Sequence, residues 1–453
     1  MSAETRSLDV GEVIDGEPMS RFQMMTVALC GFVVVLDGFD TQAIGLVAPA
    51  IAETFGAPLS SFGMVFSAGL FGLMLGALTL GPIADRVGRR WTVIVATLVF
   101  GLFTVLTPSA SSLDELALFR FLTGLGLGGA MPNLVALATE YTPKRLQAMI
   151  VAWMFAGIPI GAVCGGLVSA ALLPTLGWQA VFHVGGILPL VTAVLLIARL
   201  PESARFLIVR GAAPERIATL MRRVAPGLRI GASDRFVSRV EAKRGMPVRH
   251  LFTEGRALGT ILLWVPYFMN LLMIYFVVSW LPAVLRQAHF PLSAGVTAIT
   301  LFSIGGALGC LATGHLLKTA RVRPVVLAEF CAATVLIGTL AFMPPLLWLI
   351  LAIATLLGFV VQGAQSGLNA LVAAYYPTPI RSTGIGWALG IGRIGSIVAP
   401  LLGGLMLSLN WSLQGIFLAG TVPAMCAAVA VLAGSARRQD AAAAAAPALQ
   451  RTV

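Results

Sequence analysis

Two carboxylates, Asp37 and Asp40, occur inside a stretch that otherwise has the composition of a membrane-spanning helix. Residues 22–36 are almost wholly apolar, and residues 41–52 are nearly so. Placing one Asp at the centre of a membrane helix costs about 2.5–3.5 kcal/mol, so such residues usually serve a function. Their i, i+3 spacing puts both on one side of a helix, and Gly38 lets another backbone approach that side. Two interpretations stay open: a proton or ligand site on a transport path, or two acids that only hold this helix to a neighbour.

A third charge, Arg120, predicts the partner of these acids. At about 1.5 Å per residue, counting along the apolar spans places Asp37 and Arg120 in the same half of the membrane. Because an Arg side chain stays charged, it needs a counter-ion in lipid. The sequence therefore predicts that Asp37, Asp40 and Arg120 form one coupled proton site. A static salt bridge is the alternative.

Arg393 lies near the middle of a later span and predicts a different role. A single guanidinium there suits a fixed countercharge that holds a carboxylate through two hydrogen bonds. An ion pair with Glu329 is the alternative, but Glu329 lies at a different depth. Polar side chains in other spans could contact the same ligand or could merely join helices. The candidates are Asn133, Tyr267, Asn270, Gln362, Gln365 and Asn369, and Tyr275 adds a phenol beside Tyr267 and Asn270.

The composition identifies the elements that must position these residues. The 453 residues are 58% hydrophobic and only 11% charged, whereas soluble domains carry about 25% charged residues. The chain is therefore predicted to be an all-α membrane protein with twelve transmembrane helices, each long enough to cross a bilayer. The predicted spans are residues 23–50, 60–83, 91–107, 114–140, 147–173, 178–199, 258–285, 293–316, 324–343, 346–374, 382–408 and 412–433.

The placement of basic residues predicts the orientation. With both termini cytoplasmic, the 30 Lys and Arg residues fall on the cytoplasmic side apart from Arg286 outside and Arg120 and Arg393 within the membrane. This asymmetry follows the positive-inside rule, so the net charge of +11 indicates topology and lipid contact and argues against a nucleic-acid partner. The five cysteines lie in apolar segments without the spacing of a metal site or a disulfide framework. The five acids before the first span argue against a cleaved signal peptide.

The spans group into two halves of six helices. Gly358 and Gly363 repeat Gly124 and Gly129 at a constant offset, which indicates an internal duplication. The N-terminal tail is expected to be polar and loosely ordered, and residues 215–224 of the central loop are expected to form an amphipathic helix. The predicted segments are an N-tail (1–21), a first half (22–199), a central cytoplasmic loop (200–257), a second half (258–433) and a C-tail (434–453).

A charged segment after the second span carries a specific resemblance. Residues 81–90 read GPIADRVGRR and match the G-x-x-x-D-R-x-G-R-R loop of the major facilitator superfamily, which this chain resembles. The resemblance implies the twelve-helix facilitator fold, with a substrate site near the membrane midplane between the halves. It also implies that Asp85 latches the cytoplasmic gate. The other residues assigned to this gate are Gly81, Arg86, Gly88, Arg89, Arg90, Glu140 and Arg145.

Within that superfamily, two segments are similar to the aromatic acid:proton symporter family. These are the D-G-F-D motif at residues 37–40 and the stretch at 376–387, followed by Gly392-Arg393-Ile394-Gly395. The resemblance implies a bacterial inner-membrane importer of aromatic carboxylates, with protons as coupling ion and no cofactor, metal or obligate protein partner. 4-Hydroxybenzoate/protocatechuate carriers resemble the chain most, but carriers of benzoate, gentisate, vanillate, hydroxyphenylpropionate and muconate share these motifs. The order Gly157-Ile158-Pro159 lacks the contiguous Gly-Pro of antiporters, so an organic-anion antiporter is the less favoured alternative.

Three other classes find little support in the sequence. A membrane enzyme would need a nucleophile, metal or cofactor motif, and none is found. A channel or scaffold would need neither the half-repeat nor the latch segment. A pump subunit would have to obtain ATP hydrolysis from a partner, because the chain has no G-x-x-x-x-G-K-[ST] loop.

Overall fold

Long apolar helices form nearly all of the chain in the computed structural model, which describes residues 7–227, 235–237, 248–342, 346–377 and 380–449. Parts of the predicted tails and central loop, and residues 378–379 of the family-like stretch, lie outside the described residues. Before the central loop the elements are β1 (Ser7–Asp9), α1 (Val10–Gly16), α2 (Arg21–Phe55), α3 (Phe62–Val87), α4 (Arg89–Leu106), α5 (Leu113–Glu140) and α6 (Lys144–Arg199). The remaining elements are α7 (Ala204–Val209), α8 (Pro214–Val224), β2 (Arg235–Val237), α9 (Ala257–Gln287), α10 (Leu292–Leu316), α11 (Val322–Phe342), α12 (Leu347–Tyr375), α13 (Arg381–Ser408) and α14 (Leu413–Leu449).

Eleven helices of the described chain are long and apolar enough to cross a membrane, and one of them holds two predicted spans. Helix α6 has 56 residues, about twice the length that a single crossing needs. Gly177 interrupts it with φ 75° and ψ 179°, a backbone conformation that favours glycine. The break separates residues 144–176 from 178–199, which agrees with the predicted fifth and sixth spans and with a twelve-helix fold.

The chain divides into two compact units. The first comprises Met1–Ala43 and Ala68–Lys243, and the second comprises Ile44–Ser67 and Arg244–Val453. The division therefore falls within α2 and α3, whereas the predicted halves were continuous in sequence. Inside the second unit, a Cβ on Gly45 would lie 2.6 Å from the Val278 carbonyl oxygen. The α2 part of this segment thus packs backbone to backbone against α9 at Gly45.

Glycines set the helix packing of the first unit. A Cβ on Gly38 of α2 would lie 2.1 Å from the carbonyl oxygen of Ile158 in α6. A Cβ on Gly76 of α3 would lie 2.1 Å from the carbonyl oxygen of Leu125 in α5. Small residues allow such contact because no side chain separates the backbones. These contacts fix α2, which carries the acids, and α5, which carries Arg120.

The second unit also packs its helices closely at glycines. A Cβ on Gly309 of α10 would lie 2.0 Å from the Phe359 carbonyl oxygen, and one on Gly358 of α12 would lie 2.0 Å from that of Phe302. The second and fourth spans of the first unit and the corresponding α10 and α12 therefore both pack through glycines. This agrees with the duplication seen in the sequence.

The N-terminal tail is ordered, so the expectation of a loose tail is wrong for its described part. Strand β1 pairs in parallel with β2, and α1 buries Val10, Val13 and Ile14. Asp9 caps α1 by accepting a hydrogen bond from the Gly11 N–H at 2.7 Å. Burial of apolar side chains at helical spacing outweighs the polarity of the acids between them.

The central loop contains the amphipathic helix expected from its sequence. Helix α8 buries Ile217, Met221 and Val224, and these side chains belong to the same core as those of α1. Asp15, at the end of α1, forms an ion pair with Lys144 at 2.8 Å. Burial raises the pKa of Asp15, but the hydrogen bonds and charge of Lys144 outweigh it and leave that pKa lowered.

Candidate functional site

A buried ion pair joins α2 to α5 in the first unit. The Arg120 guanidinium donates to both carboxylate oxygens of Asp40, with Nη1–Oδ1 and Nη2–Oδ2 distances of 3.1 and 2.5 Å. Asp40 is 0% exposed and Arg120 is 4% exposed. This fork-to-fork arrangement is the strongest form of such a pair. The structure thus brings together two of the three predicted coupling residues.

Two further side chains complete this site. Thr104 of α4 donates its hydroxyl to Asp40 Oδ1 at 2.8 Å, and the Phe182 ring centroid lies 5.7 Å from the guanidinium carbon of Arg120. Both were missed from the sequence, because a single Thr or Phe in an apolar span carries no distinctive signal. Removing one member of such a pair leaves an uncompensated buried charge, which costs about 3–5 kcal/mol.

Asp37 lies one helical turn from Asp40 and is half-buried. Its Oδ1 accepts a hydrogen bond from the Thr41 hydroxyl at 3.2 Å. The proton-coupling role of the three residues stays a prediction.

The second unit contains the other membrane arginine, on α13. Arg393 is half-buried and donates from Nη1 to the Tyr275 hydroxyl of α9 at 3.1 Å. A Cβ on Gly395 would lie 2.3 Å from the Phe268 carbonyl oxygen, so the two helices touch beside it. None of the described residues pairs a carboxylate with Arg393. Glu329, the acid considered as its partner, instead accepts a hydrogen bond from Thr313.

Four of the predicted polar residues form one network between α9 and α12. The Tyr267 hydroxyl donates to Asn369 Oδ1, and Gln365 Nε2 donates to the same oxygen at 3.4 Å. Asn270 Nδ2 donates to Gln365 Oε1 at 2.9 Å. The network therefore presents both donors and acceptors from two facing helices.

Gln362 and Asn133, the other two polar residues predicted to contact the substrate, lie outside this network, and their substrate contact stays a prediction. The Gln362 amide packs against Gly306 of α10, where a Cβ would lie 2.1 Å from its Nε2. Asn133 belongs to the first unit and donates to the Gly129 carbonyl of its own helix at 2.8 Å. Neither contact involves another predicted substrate residue.

The predicted gate residues of the first unit form a second polar cluster around Glu140. Arg89 makes an ion pair with Glu140, which also accepts a hydrogen bond from the Ser203 hydroxyl. Glu202 Oε1 accepts the backbone N–H groups of Arg89 and Arg90 at 2.9 and 3.1 Å, so it caps the N-terminus of α4. Neither Glu202 nor Ser203 was predicted from the sequence to belong to this cluster.

Gly88 is the one position of the latch segment where only glycine fits. Its φ is 108°, and a Cβ there would lie 2.3 Å from Glu202 Oε2. The turn between α3 and α4 is confined to this residue, because α3 continues through Gly81 and Pro82 to Val87. Helix α3 therefore extends four residues beyond the predicted second span, which ended at residue 83.

The other charged gate candidates have contacts separate from this cluster. Asp85 is exposed and forms no hydrogen bond or ion pair with the described residues of the first unit. The Arg86 carbonyl accepts a hydrogen bond from Arg210. Arg145 donates to the Glu17 carbonyl at 3.3 Å and so contacts the N-terminal tail. The latch role of Asp85 stays a prediction.

Glu202→Gln is expected to lower the stability of the protein by about 0.5–1 kcal/mol, because a carboxylate at a helix N-terminus interacts favourably with the helix dipole. Glu202→Ala also removes the acceptor and is expected to cost about 1–2 kcal/mol. Thermal unfolding in detergent measures both effects. Glu53→Ala, at an exposed position near the C-terminal end of α2, is the matched control, and equal melting temperatures for Glu202→Ala and this control contradict the capping role.

The fold and its charged sites define a class of membrane transporter. Residues 30–353 match the Major Facilitator Superfamily, and the chain belongs to this family. The structure superimposes with a TM-score of 0.70 on the xylose transporter XylE from E. coli, covering 91% of this chain and 97% of that one. At 18% identity, this similarity shows the fold alone. The chain is therefore a multi-pass membrane transporter of a small molecule and not an enzyme.

Two relatives are similar to this chain over nearly the whole length of both proteins. The chain is 40% identical over 428 residues to the 4-hydroxybenzoate transporter PcaK of Pseudomonas aeruginosa, covering 94% of this chain and 95% of the relative. It is also 40% identical over 430 residues to the gallate transporter of Pseudomonas putida, with 94% and 95% covered.

Proposed function

We propose that this chain imports aromatic carboxylates together with protons across a bacterial inner membrane, with both termini in the cytoplasm. The names of its relatives support an aromatic acid, of which 4-hydroxybenzoate and protocatechuate are the first candidates. The arrangement of basic residues supports the orientation. Protons are the only coupling ion that the proposal requires, and it involves no cofactor or protein partner.

The observation that carries this proposal is the state of Arg393. Among the described residues, the side-chain partner of Arg393 is the neutral phenol of Tyr275, so no carboxylate balances the charge of Arg393. An unbalanced guanidinium in a membrane span is unfavourable, and the carboxylate of a substrate would relieve that cost. Two parallel N–H···O hydrogen bonds would also orient the plane of an aromatic acid.

The hydrogen-bond network on α9 and α12 is proposed to recognise the ring hydroxyl of the substrate. Tyr267, Asn270, Gln365 and Asn369 share donors and acceptors that can exchange partners with a ring hydroxyl. A site built to hydrogen-bond a hydroxyl discriminates strongly against an analogue that lacks it, because buried polar groups are then left unpaired. The proposal therefore favours hydroxylated benzoates over benzoate itself.

Proton coupling is assigned to the other arginine. Protonation of Asp40 removes the charge that holds Arg120, so one proton weakens the link between α2 and α5. Asp37 lies beside it and is the proposed entry point for that proton. The two arginines thus have separate tasks: Arg120 responds to protons and Arg393 to substrate.

Uptake into proteoliposomes tests the proposal as a whole. An inward proton gradient without ATP should concentrate labelled 4-hydroxybenzoate, and a protonophore should abolish accumulation. Competition by 4-hydroxybenzyl alcohol, which lacks the carboxylate, should be weak. The proposal is contradicted if accumulation does not depend on the proton gradient, or if the alcohol competes as strongly as unlabelled 4-hydroxybenzoate.

Asp85→Asn is expected to slow transport while leaving substrate binding unchanged, since Asp85 is exposed and lies in a different unit from Arg393. The carboxylate acts only as a releasable latch, whose interaction with a helix N-terminus is worth about 0.3–1 kcal/mol. Initial uptake rates at matched expression and binding by calorimetry measure the two effects. Asp114→Asn, at an exposed position of α5, is the control, and a normal uptake rate for Asp85→Asn contradicts the latch.

A further inference from the structure

A buried carboxyl in the second unit has no part in the function described above. Glu329 lies in the second turn of α11 and is 9% exposed. Its Oε1 accepts a hydrogen bond from the Thr313 hydroxyl of α10, and its Oε2 is buried without a hydrogen-bond partner among the described residues. The carboxyl group is therefore enclosed but only half satisfied.

Glycines of α12 form the third wall of this site. A Cβ on Gly363 would lie 2.6 Å from Glu329 Oε1 and 2.7 Å from Thr313 Oγ1, and one on Gly367 would lie 3.8 Å from Oε2. Any larger residue at Gly363 would displace the carboxyl. Three helices thus meet at one acidic side chain.

The part of the chain that the structure describes places no cation against Glu329 to balance its charge if it is ionised. Among the described residues it forms no ion pair, and α12 carries no charged residue between Leu347 and Tyr375. On α10 the facing titratable group is Cys310, while His315 is exposed at the helix end. On α11, Arg323 donates instead to the Gly434 carbonyl at 2.6 Å. The span of α14 before Gly434 adds only the titratable Cys426.

We propose that Glu329 is a proton-binding site of the second unit, distinct from the Asp37 and Asp40 site. With its proton bound, the side chain is a neutral acid that can remain buried between α10, α11 and α12. Loss of the proton leaves an unpaired charge in a low-dielectric site, which favours separation of the three helices. The second unit thereby senses pH independently of the substrate that the protein carries.

Infrared spectroscopy tests the bound proton directly. At pH 7 the purified wild-type protein should show a carboxylic-acid carbonyl band that is absent from Glu329→Gln and retained in Asp40→Asn and in Glu53→Gln, an exposed control. Raising the pH should remove the band, because each unit above the midpoint lowers the protonated fraction about tenfold. A wild-type spectrum without the band at pH 7, or a band that survives Glu329→Gln, overturns the proposal.

Stability provides a second readout. Gln resembles the protonated acid, so Glu329→Gln should fold, with a melting temperature close to that of the wild type at about pH 4, where the carboxyl keeps its proton in both the folded and the unfolded chain. As the pH rises, the wild type should lose stability relative to Glu329→Gln, while Glu53→Gln follows the wild type. If the melting temperatures of the wild type and Glu329→Gln change in parallel with pH, the proposal is overturned. Because neither measurement uses a substrate, a failure here is distinguishable from a failure of the proposed transport function.

Discussion

Asp40→Asn is expected to abolish the accumulation of substrate driven by an inward proton gradient. Asn can replace the hydrogen bonds of Asp40 in part, but it can neither bind the coupling proton nor balance the charge of Arg120. Because both residues are buried, the variant is also expected to lose about 3–5 kcal/mol of stability. Gradient-driven uptake in proteoliposomes and thermal unfolding measure the two effects.

A second variant separates coupling from folding. Asp40→Asn/Arg120→Gln removes both charges, so it should regain most of the lost stability and still fail to accumulate substrate. Asp37→Asn should also lose accumulation while keeping substrate counterflow, which needs no net proton movement. Asp114→Asn should behave as wild type in every assay. Accumulation by the folded double variant would place the coupling site elsewhere.

Arg393→Lys is expected to weaken the binding of an aromatic carboxylate by at least tenfold, which corresponds to about 1.4 kcal/mol. Lys keeps the positive charge but lacks the planar fork that holds a carboxylate with two hydrogen bonds. Calorimetry on the purified protein measures the change. Arg286→Lys is the matched control, since Arg286 is partly exposed and pairs with Glu53 at 2.8 Å.

A comparison of ligands shows whether the lost affinity belongs to the carboxylate. 4-Hydroxybenzyl alcohol keeps the ring and the hydroxyl but has no negative charge, so it should bind equally to wild type and Arg393→Lys. Tyr275→Phe removes one hydrogen bond to Arg393. It should change the affinity for the acid by about 1 kcal/mol, which is about fivefold and less than the effect of Arg393→Lys. Equal affinity of wild type and Arg393→Lys for the acid contradicts the assigned role.

The pair between Asp40 and Arg120 could be predicted because few charges occur in the spans. An ionised side chain in lipid needs a partner, and residue counts give its depth to within a turn or two. Thr104 and Phe182 could not be found in this way, since depth alone does not select one Thr or Phe among many. The sequence therefore identified the charges of the site but not the groups that surround them.

Gln362 shows the limit of helical periodicity. Its position differs from that of Gln365 by about 60° around the helix axis, which a sequence pattern treats as one face. Helix α12 packs against both α9 and α10, so this rotation moves a side chain from one neighbour to the other. Glu202 shows a different limit. It meets Arg89 across 113 residues of sequence, and no local pattern encodes that contact.

The pairing of β1 with β2 has a consequence for biosynthesis. Ser7 leaves the ribosome long before its partner Arg235, which is added only after the six spans within residues 21–199 have been made. At about 5–20 residues per second, strand β1 waits roughly 10–50 s for its partner. The acidic tail must remain undocked while six spans enter the bilayer. Its attachment therefore marks the completion of the first unit, and during that interval its apolar residues are open to chaperones.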